Sequence, residues 1–306
     1  MRVLIVGGTG FVGAVVARAL HHRGHEVIVY HRGRTGGSLP ESIRHICSDD
    51  ARVPVKRYPP DLVADVVVHA VAMGAEDARA AMDAFRGKAR RIVALSSGDV
   101  YRVYGELLGI EERTLSTTTL TEDAPLRSRE YPYGRGPIST KWGTLSDYEK
   151  LHVERAVLSD PALPGTVLRL GKVFGPGDES LCHWLLAMRA GVPIRLGSGH
   201  AQWRWTHVYL DDIGQAVVLA VENERAAGRI YNVGETQSPT QHERIEALAR
   251  AAGLRADVRI EPIEDALPDL VLDSSRICAE LGFRETDPGA ALASLAGQSG
   301  WQSERA

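Results

Sequence analysis

The chain has 306 residues, 44% hydrophobic and 25% charged, the composition of a folded protein with one large core or two small ones. Its 36 Lys and Arg stand against 39 Asp and Glu, a net charge of −3, which argues against nucleic acid as a partner. The longest apolar stretches, such as 62–73, are broken by Asp65 and His69 and fall short of the roughly 20 residues of a membrane span. Cys47, Cys182 and Cys278 lie far apart, form no CxxC pair, and fit a reducing, cytoplasmic compartment.

Residues 2–6 are a β-branched run and read as a buried strand. Glycines follow, then a helical pattern over 11–22, with Val12, Val15, Val16, Ala19 and Leu20 on its buried face. Gly24 stops that helix. A second strand reads over 26–30, a weaker third over 42–47, and a fourth within 62–72. A helix over 78–85 leads to a fifth strand over 91–95, which ends in Ser96-Ser97-Gly98. Strands that are apolar on both faces and alternate with helices specify an α/β chain with a doubly wound parallel sheet.

From 106 to 144 the pattern dissolves into Thr, Pro, Gly and charge, a long loop of the kind that usually carries function. Periodicity resumes as a helix over 147–158 and a strand over 165–173. Residues 211–221 read as helix and 230–233 as strand, with helices over 240–252 and 274–281 in a second, smaller lobe.

Gly7-Gly8-Thr9-Gly10-Phe11-Val12-Gly13 sits between the first strand and the first helix with Gly-x-x-Gly-x-x-Gly spacing. A pyrophosphate needs a sharp turn, a bare backbone and the free N–H groups of a helix start, and this segment supplies all three. A tight turn without a ligand is the plainer reading, but the strand and helix on either side favour dinucleotide binding. The second strand ends in Tyr30-His31-Arg32-Gly33-Arg34, with no carboxylate for a ribose 2′-hydroxyl. Arg32 and Arg34 point to NADP(H), with NAD(H) kept as the alternative. The expected division is 1–177 with 206–234 for the dinucleotide domain and 178–205 with 235–306 for a substrate lobe.

Further motifs follow in order. They are Asp49-Asp50, the strand from Asp65 through His69-Ala70-Val71-Ala72, Ser96-Ser97-Gly98-Asp99-Val100-Tyr101, and Leu168-Arg169-Leu170-Gly171-Lys172-Val173-Phe174-Gly175-Pro176-Gly177. His207-Val208-Tyr209-Leu210-Asp211, Tyr231-Asn232-Val233-Gly234 and Asp273-Ser274-Ser275-Arg276 complete the series. On these residues the sequence resembles the NAD-dependent epimerase/dehydratase family of extended short-chain dehydrogenase/reductases. The resemblance implies a Rossmann-type sheet with a smaller C-terminal α/β lobe. It also implies cofactor contacts from Gly7, Thr9, Gly10, Phe11, Val12, Gly13, Arg32, Arg34, Asp49, Ala70, Val71, Ala72, Leu95, Lys150 and Val173.

In that family a nicotinamide exchanges hydride with a substrate carbon and a tyrosine acts as acid and base. A lysine four residues later lowers the tyrosine pKa and holds the ribose, and a serine hydrogen-bonds the substrate oxygen. Ser97 matches that serine. Lys150-Leu151-His152-Val153-Glu154 matches the stretch from the lysine, but Ser146 stands four residues earlier. The stretch that leads into the family tyrosine runs from Thr121-Glu122-Asp123-Ala124-Pro125 to Tyr131-Pro132-Tyr133-Gly134-Arg135, with Pro137 four residues after Tyr133. An insertion of about a dozen residues therefore splits the motif.

Tyr133 keeps the family context. Tyr148 lies two residues before Lys150, so on an ideal helix it points about 200° away and faces the site only if the helix starts late or is distorted. Tyr131 is a third candidate, and the remaining alternative is that no tyrosine is in place. Arg204, between Trp203 and Trp205, falls in the region from which the family contacts an anionic substrate group.

The expected function is an NAD(P)-dependent epimerase, dehydratase or reductase acting on a sugar nucleotide or a related polar carbonyl or alcohol. A homodimer without membrane attachment or a metal is the expected assembly. The alternative is an NAD(P)-binding protein without redox turnover: a regulator, a scaffold or an RNA-associated relative.

Overall fold

Strand β1 (Arg2–Val6) alternates its side chains between two faces, and both faces are buried. Val3 and Ile5 enter one apolar core, Leu4 and Val6 the other. The fold comes from a computed structural model that describes residues 1–33, 39–48, 57–115, 117–135, 137–140, 143–146, 148–178, 181–263 and 266–297.

Helix α1 (Phe11–His22) leads to β2 (Glu26–His31) and β3 (Arg44–Cys47). Then follow β4 (Val66–His69), α2 (Ala75–Phe85), β5 (Arg91–Ser97) and α3 (Arg102–Leu107). Strands β6 (Pro137–Thr140) and β7 (Gly143–Ser146) pair antiparallel as a hairpin, where the sequence reads as loop. Helix α4 (Lys150–Val157), β8 (Gly165–Leu170) and β9 (Lys172–Phe174) come next. After these come α5 (Cys182–Arg189), β10 (Ile194–Gly197), α6 (Ser198–Gln202), β11 (His207–Tyr209) and α7 (Leu210–Glu222). The chain closes with β12 (Ile230–Val233), α8 (Gln241–Ala252), β13 (Val258–Glu261), α9 (Ser275–Leu281) and α10 (Pro288–Ala296).

Seven strands form one parallel sheet in the order β3-β2-β1-β4-β5-β8-β12. This is the doubly wound order, with the strand direction of growth reversing beside β1. Helices α1 and α7 cover one face, and α2 and α4 the other. Gly214 lets α7 press close to α1, since a Cβ there would lie 3.1 Å from that of Ala19. Helices α5, α8 and α10 enclose a separate apolar cluster around Leu185, Leu248 and Leu292, and β10 pairs with β13 beside it. The core of the large sheet takes in Ile277 and Leu281 of α9. No helix among the described residues is long and apolar enough to cross a membrane.

Two of the boundaries that differ from the sequence reading bear on the site. The run 165–173 is two strands, because the chain changes partner at Gly171. Gly171 N–H donates to the Val233 carbonyl at 2.9 Å, and Lys172 N–H to the Thr206 carbonyl at 2.9 Å. A Cβ at Gly171 would lie 2.7 Å from the Thr206 oxygen, so the switch needs glycine. The second difference is that α4 begins at Lys150, three residues later than the periodicity suggests.

Gly13 and Gly10 separate a packing role from a binding role. A Cβ on Gly13 would lie 2.0 Å from the Gly7 carbonyl oxygen, whereas one on Gly10 meets nothing within 4 Å. Gly13→Ala should lower unfolding stability by about 3 kcal/mol or more, from backbone overpacking. Gly10→Ala should change it by less than about 0.5 kcal/mol. Urea unfolding checks both, and equal losses would contradict the assignment.

Candidate active site

The turn after β1 is built around its glycines. Gly7 adopts φ +88°, and a Cβ there would run into Val71, 2.4 Å from Cγ1. Gly10 is the N-cap of α1, in extended backbone, and as glycine it brings no side chain to cap the helix. Bare space beside Gly10 and the orphan N–H groups of a helix start are what a pyrophosphate requires. The first turn of α1 carries no acidic residue to oppose such an anion. The loop thus fits a dinucleotide. Thr9 is buried within it, Phe11 lies against Gly177, and Val12 packs half-buried on the sheet core.

The second part of the site is set by Glu149. Its backbone is extended (φ −155°, ψ 99°), and its carboxylate caps α4 by accepting from Leu151 N–H at 2.9 Å. The same carboxylate accepts from Tyr131 N–H at 2.6 Å and from the Arg127 guanidinium at 3.0 Å, with both side chains of that ion pair fully buried. Glu149 N–H donates to the Met73 carbonyl at 2.8 Å. Extended backbone places residues i and i+2 on one side. Tyr148 and Lys150 therefore face the same way, and the Lys150 ammonium stands 5.7 Å from the centre of the Tyr148 ring.

Lys150 is buried and donates to the Ala72 carbonyl at 2.6 Å and the Leu95 carbonyl at 3.0 Å. Burial lowers its pKa to about 8, against the pull of Asp99, Asp77 and Glu154. The Tyr148 hydroxyl donates to Asp99 Oδ2 at 2.7 Å, and Ser97 lies close enough to favour the ionised phenol. Burial, then the Asp99 carboxylate, pushes the phenol well above its ordinary pKa. Ser97 Oγ accepts from Asp99 N–H at 3.2 Å. Asp99 is 4% exposed, and its Oδ1 has no hydrogen-bond partner among the described residues. Desolvation raises the Asp99 pKa despite Tyr148, Arg127 and Lys150.

The other tyrosines direct their hydroxyls or rings to different partners. The Tyr133 ring lies 5.2 Å from that of Tyr148, but its hydroxyl pairs with Tyr104 at 2.9 Å, and the residue is 45% exposed. Tyr131 packs its ring on His152 and under Arg135.

Val71 closes over Gly7, and Ala72 and Leu95 reach the site through their carbonyls. Ala70 N–H is taken by the Val6 carbonyl, and Val173 lies half-buried on the sheet core. Arg32 is half-buried after β2, beside a His31–His45 pair at 3.0 Å. Arg34 and Asp49 lie outside the described residues. Arg204 is exposed and lines a cavity of about 820 Å³ with Glu243 and Arg244, whose walls include none of Ser97, Tyr133, Tyr148 or Lys150.

Beneath the site, motif residues far apart in sequence meet. Arg169 pairs with Glu154 at 2.7 Å and donates to the Tyr101 hydroxyl at 3.0 Å. Tyr101 donates to Asn232 Oδ1 at 2.6 Å, and Ser96 to Glu154 at 2.6 Å. Sequence reasoning left Asp99, Arg127 and Glu149 without roles. Asp99 had a signal, a carboxylate two residues after Ser97 in the same strand-end turn, but Arg127 and Glu149 had none.

Residues 3–234 match the NAD dependent epimerase/dehydratase family. The chain is 29% identical over 299 residues to a 2'-dehydrokanamycin reductase of Streptomyces kanamyceticus, covering 90% of this chain and 75% of that one. It is 26% identical over 305 residues to the epimerase family protein SDR39U1 of Bos taurus, covering 96% and 94%. Among solved structures, a UDP-N-acetylglucosamine 4-epimerase from Bacillus cereus aligns with TM-score 0.71 at 18% identity, covering 97% and 98%. The dTDP-glucose 4,6-dehydratase DesIV of Streptomyces venezuelae, with NAD bound, aligns with TM-score 0.70 at 20% identity, covering 97% and 96%.

Glu149→Ala removes the cap and leaves the buried Arg127 guanidinium unpaired. A loss of about 3–5 kcal/mol in urea unfolding is expected. A loss below about 1 kcal/mol would mean the pair does not hold the start of α4.

Proposed function

The chain belongs to the NAD-dependent epimerase/dehydratase family of extended short-chain dehydrogenase/reductases, and we propose that it is a working enzyme in which Tyr148 is the acid–base group. The observation that carries this reading is the Tyr148 hydroxyl, bonded to Asp99 Oδ2 at 2.7 Å, with the Lys150 ammonium 5.7 Å from the centre of its ring. Two residues of extended chain do here what four residues of helix do in the usual motif.

When bound, the nicotinamide cofactor supplies or takes up hydride. The Gly7–Gly13 turn and the start of α1 would hold its pyrophosphate. Lys150 spends two N–H groups on Ala72 and Leu95, and its third is left for a ribose hydroxyl. Arg32 and Arg34 favour a 2′-phosphate, hence NADP(H) over NAD(H).

Tyr148 gives its proton to the oxygen of a carbonyl as the carbon is reduced, and recovers it when an alcohol is oxidised. The charge of Lys150 stabilises the phenolate formed in between. Ser97 hydrogen-bonds the substrate oxygen, and Asp99 holds the phenol proton between turnovers. Of the expected substrate lobe, residues 181–205 and 235–261 with α10 serve that role, while α9 packs into the core of the large sheet. Sugar nucleotides in the solved relatives and the dehydrokanamycin of the reductase support a polar carbonyl or alcohol as substrate.

Tyr148→Phe should lower kcat by roughly 10²–10⁴-fold, with Tyr133→Phe within a few-fold of wild type. The reverse order of effects would transfer the role to Tyr133. The rate should fall as pH rises through about 8, where Lys150 loses its proton. A rate that keeps rising to the usual lysine range would contradict that dependence. Arg32→Ala with Arg34→Ala should weaken NADPH by on the order of 2–5 kcal/mol in calorimetry and spare NADH. Equal losses for the two cofactors would overturn the preference.

A further inference from the structure

A row of aromatic rings leads away from the catalytic pair. The Tyr148 and Tyr133 ring centres are 5.2 Å apart, those of Tyr133 and Tyr104 6.4 Å, and those of Tyr104 and Trp205 6.4 Å. The row ends on a charge, with Lys172 Nζ 4.8 Å from the centre of the Trp205 ring. Lys172 is the first residue of β9, just past the break at Gly171, and its N–H to the Thr206 carbonyl fixes its backbone beside Trp205.

Among the described residues the Lys172 ammonium has no hydrogen-bond acceptor, and it lies over the face of Trp205. An ammonium has three donors, and a ring face satisfies none of them as an acceptor oxygen would. The neighbouring cationic groups are otherwise engaged. Arg244 is paired with Glu235, and burial keeps His207 neutral, with its Nδ1 bonded to the Trp205 carbonyl at 2.8 Å. Asp178 lies close enough to favour the charged lysine, while Arg244 opposes it. Burial is the largest influence and lowers the Lys172 pKa. A half-desolvated ammonium without an acceptor is a poor structural element and a good receptor for an anion.

We propose that Lys172 receives an anionic end of the substrate, a carboxylate or a phosphate, while the Trp205–Tyr104–Tyr133 wall carries a flat or apolar body whose reacting carbon lies at Tyr148. The assignment of the reacting end rests on the enzymatic reading above, and the anion subsite does not. The substrate class is then an anionic carbonyl or alcohol with a ring or chain long enough to reach from Tyr148 to Trp205. Arg204, on the cavity with Glu243, is not needed for that contact.

The test is binding of 4-carboxybenzaldehyde, phenyl phosphate and the neutral methyl 4-formylbenzoate to the full chain, followed by tryptophan fluorescence and calorimetry. Wild type should bind at least one anion about tenfold tighter than the neutral ester. Which anion binds tighter decides between carboxylate and phosphate. Lys172→Met keeps the stem on Trp205 and should abolish the preference, Lys172→Arg should retain it, and NADPH affinity should be unchanged in both. No binding of any probe at millimolar concentration, no preference in wild type, or a preference that survives in Lys172→Met would overturn the proposal. If the preference disappears in Lys172→Met but wild type turns over no nicotinamide, the subsite stands and the enzymatic reading falls.

Discussion

The carboxylate of Glu149 takes N–H groups from Leu151, Tyr131 and Arg127, and it keeps them only if α4 starts at Lys150. Extending the helix by one turn would rotate that carboxylate away from a buried guanidinium whose other partners are the neutral carbonyls of Asp99 and Arg129. Breaking such a fully buried pair costs more than a helical turn returns. The helix start is therefore fixed by electrostatics. A late start turns a spacing that would split Tyr148 and Lys150 into one that unites them. Arg127 ties the same arrangement to the strand end, since its Nε donates to the Asp99 carbonyl.

Around that point the protein removes water from charged groups and then balances them. Lys150, Asp99, Glu154 and Arg169 all lie within a few side chains of one another and are all buried. Lys150 is held by two carbonyls, and Arg169 by Glu154, Tyr101 and the Glu122 carbonyl. Asp99 is the least satisfied member, with one oxygen on Tyr148 and the other without a partner among the described residues. Burial and a carboxylate in that position favour the protonated phenol. The rigid network of Arg169, Tyr101 and Asn232 beneath it gives the strand ends little freedom to relax.

Much of this was legible in the sequence where a residue type answers a local demand. The first helix reads correctly as 11–22 because Gly10 opens it and Gly24 follows it, and its apolar face repeats at helical spacing. The flanking motifs single out Lys150 and Ser97, and the sequence leaves Tyr131, Tyr133 and Tyr148 open as the phenol. That choice turns on where a helix starts, and the start depends on Arg127, more than twenty residues away along the chain. The periodicity of 147–158 holds no trace of that partner. The hairpin of β6 and β7 was missed for a related reason. Its strands are four residues each and polar, so neither alternation nor apolarity marks them. The break at Gly171 was hidden because Leu168 to Phe174 is continuously strand-like, and only the change of partner from β12 to β11 interrupts it.

The most direct test of the central claim is a crystal structure of the protein with NADP⁺ bound. The account predicts that α4 still begins at Lys150, that Lys150 Nζ contacts the nicotinamide ribose, and that the Tyr148 hydroxyl lies beside the nicotinamide on the Ser97 side. A structure in which Tyr133 takes that place, or in which no phenol reaches the nicotinamide, would contradict it.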